Sequence, residues 1–566
     1  MKRKYVKSFL AAALAGVMAL GLAACGSDST DSSKTGSSTT GSSTAGGTDE
    51  LYWFSDVSGW GPSTANWKTE ESPATKYIEE NFGLTLNVEQ PPTDASTKLG
   101  LMIASGDLPD LMSITDSDMY KQLVSAGKVW DMKTFLETYD PDSHLLKDFP
   151  EDVKQALVDT YGDWYSYPSH MESADNRETF VPDDQVWVDV VEKGDNSCIM
   201  FNKDIMDAVG ITEDDVKTEE GFYAACEKVK ASGYTVEGQS VLPVVLHADQ
   251  WINNSLDAVI SNNFGVVPVD ADGNYVHKET TPGYKNALKF VNNLIQKGYL
   301  DVNTMTIDET ALKTYLDAKR VFCWIGNQAQ QDKTNMPWVS YGAIAASNGA
   351  KPVLGKNLSA GTGWIQTLVS KDCKNPEKIA KMISWLSSKE GLMSNYYGVE
   401  GTDYTVDEKG IVTRTEEGTK SYAENYNNNI MMWPFANTSF ERSTEPVPEA
   451  NTNRGEEVQL MTAFGKGENT YIYDSSLLSF QNSQVLEPSS DLGLKLGQVK
   501  TYLESEKTKI VTAGSDDAFE KEYQSMLDTL DSYSIKEIDA EYDKVYKEYC
   551  EKKGTSIEDV NADLYK

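Results

Sequence analysis

From residue 51 onward, short apolar runs of β-type residues alternate with longer amphipathic stretches. Leu51–Phe54 has the composition of a strand, Ser72–Phe82 is typical of a helix that ends at Gly83, and Leu84–Val88 alternates as a second strand. Further strands are predicted at Asp110–Ile114, Ser197–Phe201 and Val241–Leu246, and further helices at Thr97–Ser105, Thr218–Ala231 and Pro282–Lys297. Strand–helix alternation is typical of sheets covered by helices, so the sequence predicts an α/β fold with a largely parallel sheet.

The N-terminus has the pattern of a secretion signal. Four basic residues precede an apolar run from Phe9 to Ala24, which is too short to span a bilayer comfortably. Leu22-Ala23-Ala24-Cys25-Gly26 resembles a bacterial lipoprotein signal, in which the cysteine is lipidated and begins the mature chain. We therefore expect a signal peptide over residues 1–24 and a membrane anchor on Cys25. The alternative is an ordinary signal with an incidental cysteine.

Residues 26–49 consist almost entirely of Ser, Thr, Gly, Asp and Ala. Such a composition cannot bury enough apolar surface to fold. A flexible chain of this length spans roughly 25–30 Å. We expect residues 25–49 to form a tether between the lipid and a folded body.

Composition limits what the folded body can do. The formal net charge of −36 disfavours a nucleic-acid partner, because a polyanion would be repelled. The five cysteines beyond Cys25 are scattered and the four histidines stand apart, so neither a disulfide framework nor a metal site is predicted, and no cofactor is expected. Asp270–Asn274 lacks the glycine and glutamate positions of an EF-hand, which favours a hairpin turn. The chain is too long for one core, so two lobes are expected.

Several ordered blocks resemble one family. Ile103–Leu111 and Leu123–Met132 are similar to the first-lobe signature of sugar-type extracellular solute-binding proteins (family 1, relatives of maltose-binding protein). Later blocks of the same kind are Met200–Asp204, Val209–Ile211, Gly283–Leu300, Val339–Gly342, Ser359–Trp364 and Lys374–Ala380. Gly398–Gly401 and Asp407–Gly410 resemble the large lipobox-carrying members of Gram-positive bacteria. The tryptophan usual in the last helix of that group is absent near Phe519.

The resemblance implies a two-lobed periplasmic-binding-protein-like fold of type II with a helical C-terminal region. It places residues 50–197 and 343–395 in lobe 1 and residues 198–342 and 396–566 in lobe 2. It further implies a monomeric, membrane-anchored extracellular protein that captures a carbohydrate, with an oligosaccharide favoured by the abundance of Trp. Hinge closure and delivery to ABC permease subunits would follow.

Other functions stay open. The same fold could bind a peptide or another non-sugar solute, or act as a sensor. A surface glycoside hydrolase would need two carboxylates about 5–10 Å apart. The folded part contains no G-x-S-x-G, H-E-x-x-H or phosphate-loop motif, so an enzyme is not predicted.

Site candidates were chosen by the physics of sugar binding. Pyranose C–H faces pack on aromatic rings, and sugar hydroxyls bond to short polar side chains on the loops at strand ends. The candidates are Asp56, Trp60, Trp67, Asp116, Asp118, Tyr120, Asp195, His247, Trp251, Trp324, Gln328, Trp364 and Trp433. Ordinary packing, or helix capping for Asp116 and Asp118, is the alternative for these residues. Trp53 lies within a strand and is expected in the core.

Overall fold

Two mixed β-sheets organise the part of the chain that the computed structural model describes, which comprises residues 48–57, 72–91, 94–248, 250–330, 337–357, 360–425, 432–480 and 485–566. The strands are β1 Asp49–Ser55, β2 Leu84–Glu89, β3 Leu111–Ile114, β4 Ser166–Pro168, β5 Glu172–Ser173, β6 Ser197–Asn202, β7 Thr235–Val236, β8 Gln239–Ser240, β9 Leu242–Leu246, β10 Val321–Asn327, β11 Trp338–Val339, β12 Val353–Lys356, β13 Ala360–Gly361, β14 Gln366–Val369, β15 Tyr404–Val406, β16 Val412–Arg414 and β17 Tyr471–Asp474.

Helices surround these sheets. They are α1 Pro73–Phe82, α2 Ala95–Ser105, α3 Ser117–Ser125, α4 Met132–Tyr139, α5 Leu145–Asp148, α6 Glu151–Tyr161, α7 Ala174–Thr179, α8 Gln185–Lys193, α9 Lys203–Val209, α10 Glu219–Ser232, α11 Ser261–Asn263, α12 Pro282–Gln296, α13 Glu309–Asp317, α14 Pro376–Ser387, α15 Lys389–Tyr397, α16 Glu416–Asn425, α17 Thr438–Thr444, α18 Asn453–Ala463, α19 Asp491–Val511, α20 Asp516–Ser532 and α21 Ile535–Lys553. A π-helix, Ile252–Ile260, leads directly into α11.

Local signals set the first helix as predicted. The Ser72 hydroxyl accepts a hydrogen bond from the Thr75 amide and caps the start of α1. Gly83 ends the helix at φ 60°, a left-handed conformation that glycine adopts without a Cβ clash. The predicted turn at Asp270–Asn274 is also confirmed, because the Asp270 amide donates to the Asn274 carbonyl between the bridged residues Val269 and Tyr275.

The first sheet has the order β2-β1-β3-β14-β4. Strand β1 is parallel to both β2 and β3, whereas β14 is antiparallel to β3 and to β4. The second sheet has the order β11-β6-β10-β9, and of its three pairings only β9–β10 is parallel. The α/β class is confirmed, but the prediction of a largely parallel sheet is wrong. The chain returns from the second sheet to the first as β14, which runs antiparallel to its neighbours β3 and β4.

Each sheet has its own core. Trp53, Phe135 and Ile383 belong to the first, and Phe222 and Phe322 to the second, which gives the predicted two lobes. Trp53 is fully buried in the first core, as expected.

The boundaries between the lobes differ from the predicted ones. Ile344 and Ala350 pack in the second-lobe core, although residues 343–395 were assigned to lobe 1. Met432 and Phe435 pack in the first-lobe core, although residues 396–566 were assigned to lobe 2. Phe435 meets Trp53 edge to face, with ring centroids 6.0 Å apart.

The C-terminal region is helical, as predicted, and packs on the second lobe. Phe519 and Met526 of α20 and Ile538 of α21 join the second-lobe core. The buried Lys507 ammonium of α19 lies 2.9 Å from a Glu279 carboxylate oxygen. Burial alone would raise the pKa of Glu279, but the charge of Lys507 and further cations bring it down to about 2. Within the described ranges, no helix combines the length and the apolar character needed to cross a bilayer.

Candidate functional site

Loops from four strands meet at one edge of the first sheet. Strands β1 and β3 run parallel, so their carboxyl ends lead into Asp56 and Thr115 at this edge. Strand β4 runs in the same direction, because both β3 and β4 are antiparallel to β14. Its carboxyl end therefore leads into His170 at the edge where Trp364 precedes β14. In open α/β sheets such an edge is where ligands bind.

Three rings form what we call the aromatic triad: His170, Trp364 and Trp433. The Trp364 and Trp433 centroids lie 6.0 Å apart at an interplanar angle of 66°. The His170 ring is 6.0 Å from Trp364 and 6.2 Å from Trp433. Trp364 leaves 46% of its surface exposed, which is unusual for a tryptophan and provides an apolar face for a ligand. The structure thus brings together two of the predicted residues, Trp364 and Trp433.

The backbone beneath the triad is closely packed. Gly363 has φ 61°, and a Cβ at this position would lie 1.4 Å from the Ser169 carbonyl oxygen. The Ser169 amide donates to the Ile365 carbonyl over 2.9 Å, and the Ile365 amide donates back to the Ser169 hydroxyl over 3.2 Å. The His170 amide donates to the Ala436 carbonyl, which joins the Trp433 loop to the same segment. Only glycine permits the segments around Gly363 and Ser169 to approach so closely.

His170 is a further candidate residue, which the sequence did not indicate. Its φ of 49° is left-handed, a conformation that non-glycine residues adopt rarely and often at functional sites. Burial lowers the pKa of the imidazole to about 4, so the ring is neutral near pH 7. Its Nδ1 lies 3.0 Å from the Ser169 hydroxyl oxygen. A lone histidine in the sequence gives no signal of ligand contact.

Two of the three predicted acids of the first lobe, Asp56 and Asp116, accept hydrogen bonds from nearby backbone amides. The Asp56 carboxylate accepts hydrogen bonds from the Thr115 and Asp116 amides, and burial raises its pKa despite these bonds. Asp116 caps α3 by accepting from the Asp118 and Met119 amides. Burial would raise the pKa of Asp116, but hydrogen bonds from Ser96 and these amides lower it below its usual range. Asp118 is exposed in the first turn of α3.

Three of the predicted aromatic residues are buried in the cores. Tyr120 stacks on Tyr161 at 3.6 Å between ring centroids and donates to the Ser166 hydroxyl. Trp251 packs in the second-lobe core, and Trp324 is fully buried in a neighbouring cluster. We leave Tyr120, Trp251 and Trp324 out of the site proposed below because their rings offer no open face.

The second sheet presents a polar edge. His247 follows β9 and Gln328 follows β10, and the Ser255 hydroxyl joins the two strand ends by accepting from the His247 amide and donating to the Ile325 carbonyl. Gln328 is 1% exposed and donates from its side chain to the Asn196 side chain over 3.1 Å. Its Oε1 is buried and accepts no hydrogen bond from the described residues. A buried acceptor of this kind is costly unless a water or a ligand hydroxyl reaches it.

His247 lies beside this edge, close to Glu309 and Trp324. Its Nε2 is 3.9 Å from a Glu309 carboxylate oxygen, and its ring stacks at 6.4 Å between centroids on Trp324. The side-chain interaction with His247 lowers the pKa of Glu309.

Asp195 lies where the chain first passes from α8 into the second sheet. Its carboxylate accepts from the Ser197 amide over 2.7 Å, and its own amide donates to the Met461 carbonyl. Burial raises the pKa of Asp195. Trp60, Trp67 and Cys25, the other predicted residues, lie outside the described residues.

Two lobes, each with an edge of polar or aromatic loops, have the architecture of the class of two-lobed solute-binding proteins. The profile of the family described as bacterial extracellular solute-binding protein matches residues 61–393, more than half of the chain. The chain belongs to this family, and the predicted resemblance is confirmed.

The chain is similar to the fructooligosaccharide ABC transporter substrate-binding protein FusA of Streptococcus pneumoniae, with 23% identity over 345 residues. The aligned part is 58% of this chain and 59% of that relative, so it spans about three fifths of the relative's length. The family to which this chain belongs, and its relatives, are described as binding proteins rather than enzymes.

Solved structures share the fold. FusA in complex with kestose superposes with a TM-score of 0.65 at 15% identity, covering 88% of this chain and 99% of that one. An HMO-binding solute-binding protein associated with an ABC transporter of Bifidobacterium longum infantis has a TM-score of 0.60 at 16% identity, covering 89% and 99%. The predicted two-lobed fold is therefore confirmed.

Proposed function

We propose that this chain is the extracellular binding protein of an ABC importer and that it captures an oligosaccharide between its lobes. The observation that carries the proposal is the aromatic triad, with its exposed Trp364 indole at the ligand edge of the first sheet. Aromatic faces of this kind pack against the C–H face of a pyranose. The similarity to a fructooligosaccharide-binding relative supports the same class of ligand.

The second lobe would complete the site. Gln328 offers a buried acceptor at the polar edge, and the neutral His170 imidazole offers a hydrogen-bonding group whose charge does not change near pH 7. Both groups suit hydroxyls, which donate and accept hydrogen bonds. Contacts made by both lobes at once would favour a closed conformation, since a ligand shifts an equilibrium only through its differential affinity for the two states.

The proposal includes the cellular setting. Cleavage before Cys25 and lipidation of that residue would anchor the protein on the outer face of the membrane, and residues 26–49 would tether it there. Permease subunits in the membrane would take up the ligand, which the binding protein leaves chemically unchanged.

A thermal-shift screen of residues 26–566, which contain every described element, tests the proposal. The panel contains fructo-, malto-, xylo-, galacto- and uronic-acid oligosaccharides, with short peptides as the non-sugar arm. At 100 times its dissociation constant a ligand stabilises by about 2.7 kcal/mol, which is a clear rise in melting temperature. A rise with one glycan class and unchanged glycan on chromatography is expected. A response to peptides alone, or release of hydrolysis products, would refute the proposal.

A further inference from the structure

We infer that Arg454 is a positioning residue, which ties the Gln328 side chain to a segment that joins the two lobes. The inference rests on the proposed function, in which Gln328 is a ligand-binding group of the second lobe. The joining segment comprises residues 445–452, between α17 and α18, and we call it the interlobe passage.

The interlobe passage leads from the first lobe to the second. Before it, α17 is attached to the first lobe, because the Ser439 amide donates to the carbonyl of Met171, which packs in that lobe's core. After it, α18 packs on the second sheet, with Leu460 in one cluster with Trp324. A change in the angle between the lobes therefore acts on the residues that flank this passage.

Arg454, in the first turn of α18, holds carboxylates at both ends of the passage. Its guanidinium donates to both oxygens of Glu445, each over 2.7 Å, and to Oε2 of Glu457 over 2.8 Å. It also lies 5.3 Å from the centre of the Trp187 ring, whose indole N–H donates to the Glu445 carbonyl over 3.0 Å. The rigid planar fork of a guanidinium suits such a double contact, whereas an ammonium acts as a point charge.

Glu457 extends this contact to the polar edge of the second sheet. Its other oxygen, Oε1, accepts from Nε2 of Gln328 over 3.4 Å. The same nitrogen donates to the Asn196 side chain over 3.1 Å, and the Gln328 amide donates to the Asn196 carbonyl over 2.8 Å. One series of contacts therefore joins the passage to the ligand edge, and we call it the positioning network: Glu445, Arg454, Glu457, Gln328 and Asn196.

The positioning network orients the group that is proposed to meet the ligand. Gln328 is 1% exposed and Glu457 is 7% exposed, so bulk water cannot easily replace a lost contact between them. The amide plane of Gln328 is held through its nitrogen, and this fixes the direction of Oε1, the acceptor offered to a ligand hydroxyl. A ligand that bonds to Oε1 in only one arrangement of the lobes would favour that arrangement.

Charge decides which substitution tests Arg454. Glu441, at 3.9 Å, is a third carboxylate near the guanidinium, and the other cation that acts on Glu441, Arg442, is paired with Glu172. Loss of the positive charge at position 454 would leave these carboxylates to repel one another. Arg454→Lys keeps the charge and removes the fork, so it tests positioning rather than charge balance.

Hydrogen exchange of the ligand-free protein, followed by mass spectrometry, tests the inference. In Arg454→Lys we expect residues 194–198 and 326–330 to exchange about tenfold faster, the effect of losing one hydrogen bond to a charged group. Residues 321–325 of β10 are the internal reference and should not change. Glu457→Met removes the middle of the network but leaves Arg454 paired with Glu445, so it should fold and give the same acceleration.

A matched control lies on the same helix. Lys203 pairs with Glu456, the neighbour of Glu457, and Lys203→Met should leave the exchange of residues 194–198 and 326–330 unchanged. Unchanged exchange of these residues in Arg454→Lys or in Glu457→Met would overturn the inference. Equal acceleration in Lys203→Met, or in the β10 reference, would also overturn it, because the effect would then be a general loosening. The measurement needs no ligand, so its failure is separate from a failure of the glycan screen, which tests the proposed function.

Discussion

Removal of the exposed indole of the triad is the most direct test of the site. Trp364 exposes 46% of its surface, which is about 115 Å² of a tryptophan's ~250 Å². A sugar ring that covers half of this area buries about 60 Å² of apolar surface. At about 25 cal/mol per Å² the contact contributes ~1.5 kcal/mol, or roughly a tenfold change in the dissociation constant.

Trp364→Ala should therefore weaken binding of the oligosaccharide found in the screen by about tenfold, measured by isothermal titration calorimetry. Because the buried half of the indole, about 135 Å², is also lost, the variant should be less stable by up to about 3 kcal/mol, so binding is measured well below its unfolding transition. Trp364→Phe keeps an aromatic face and should lose less affinity. Leu494→Ala, an exposed apolar residue of α19, is the control and should bind normally. An unchanged affinity in folded Trp364→Ala would refute the role of the triad.

Three further substitutions test the physical reasoning. Because the pKa of His170 is about 4 in the folded state and about 6.5 when unfolded, the unfolded chain takes up a proton first as the pH falls. The free energy of unfolding should therefore drop from pH 6.5 towards pH 4, and His170→Gln should flatten this dependence in denaturant titrations. The same pH dependence in the variant and the wild type would contradict the lowered pKa of His170. Gly363→Ala places a Cβ against the Ser169 carbonyl and should cost about 2–4 kcal/mol of unfolding free energy. A variant that melts like the wild type would contradict this expectation. Lys507→Met leaves Glu279 buried without its partner and should cost about 3–5 kcal/mol, while the affinity for sugar should not change. Altered sugar affinity in that variant would show that α19 acts on the site.

Local signals in the sequence were sufficient for the elements and the class of fold. The N-cap at Ser72, the left-handed Gly83 and the alternation of Leu84–Val88 depend on neighbours within a few residues, so they can be read along the chain. The family could be predicted for a similar reason, because its blocks recur in a fixed order.

Tertiary structure decided the strand directions, the limits of the lobes and the membership of the site. Both Trp364, which is exposed, and Trp324, which is fully buried, were candidates from the sequence, because the exposure of a ring depends on what the folded chain packs against it. Trp433 lies 69 residues after Trp364, and His170 lies nearly 200 residues before Trp364. Their meeting depends on the pairing of β4 with β14 and on the hydrogen bond from His170 to Ala436. Such long-range contacts are fixed by the packing of whole lobes, whereas helix caps and strand alternation are fixed by the local chain itself.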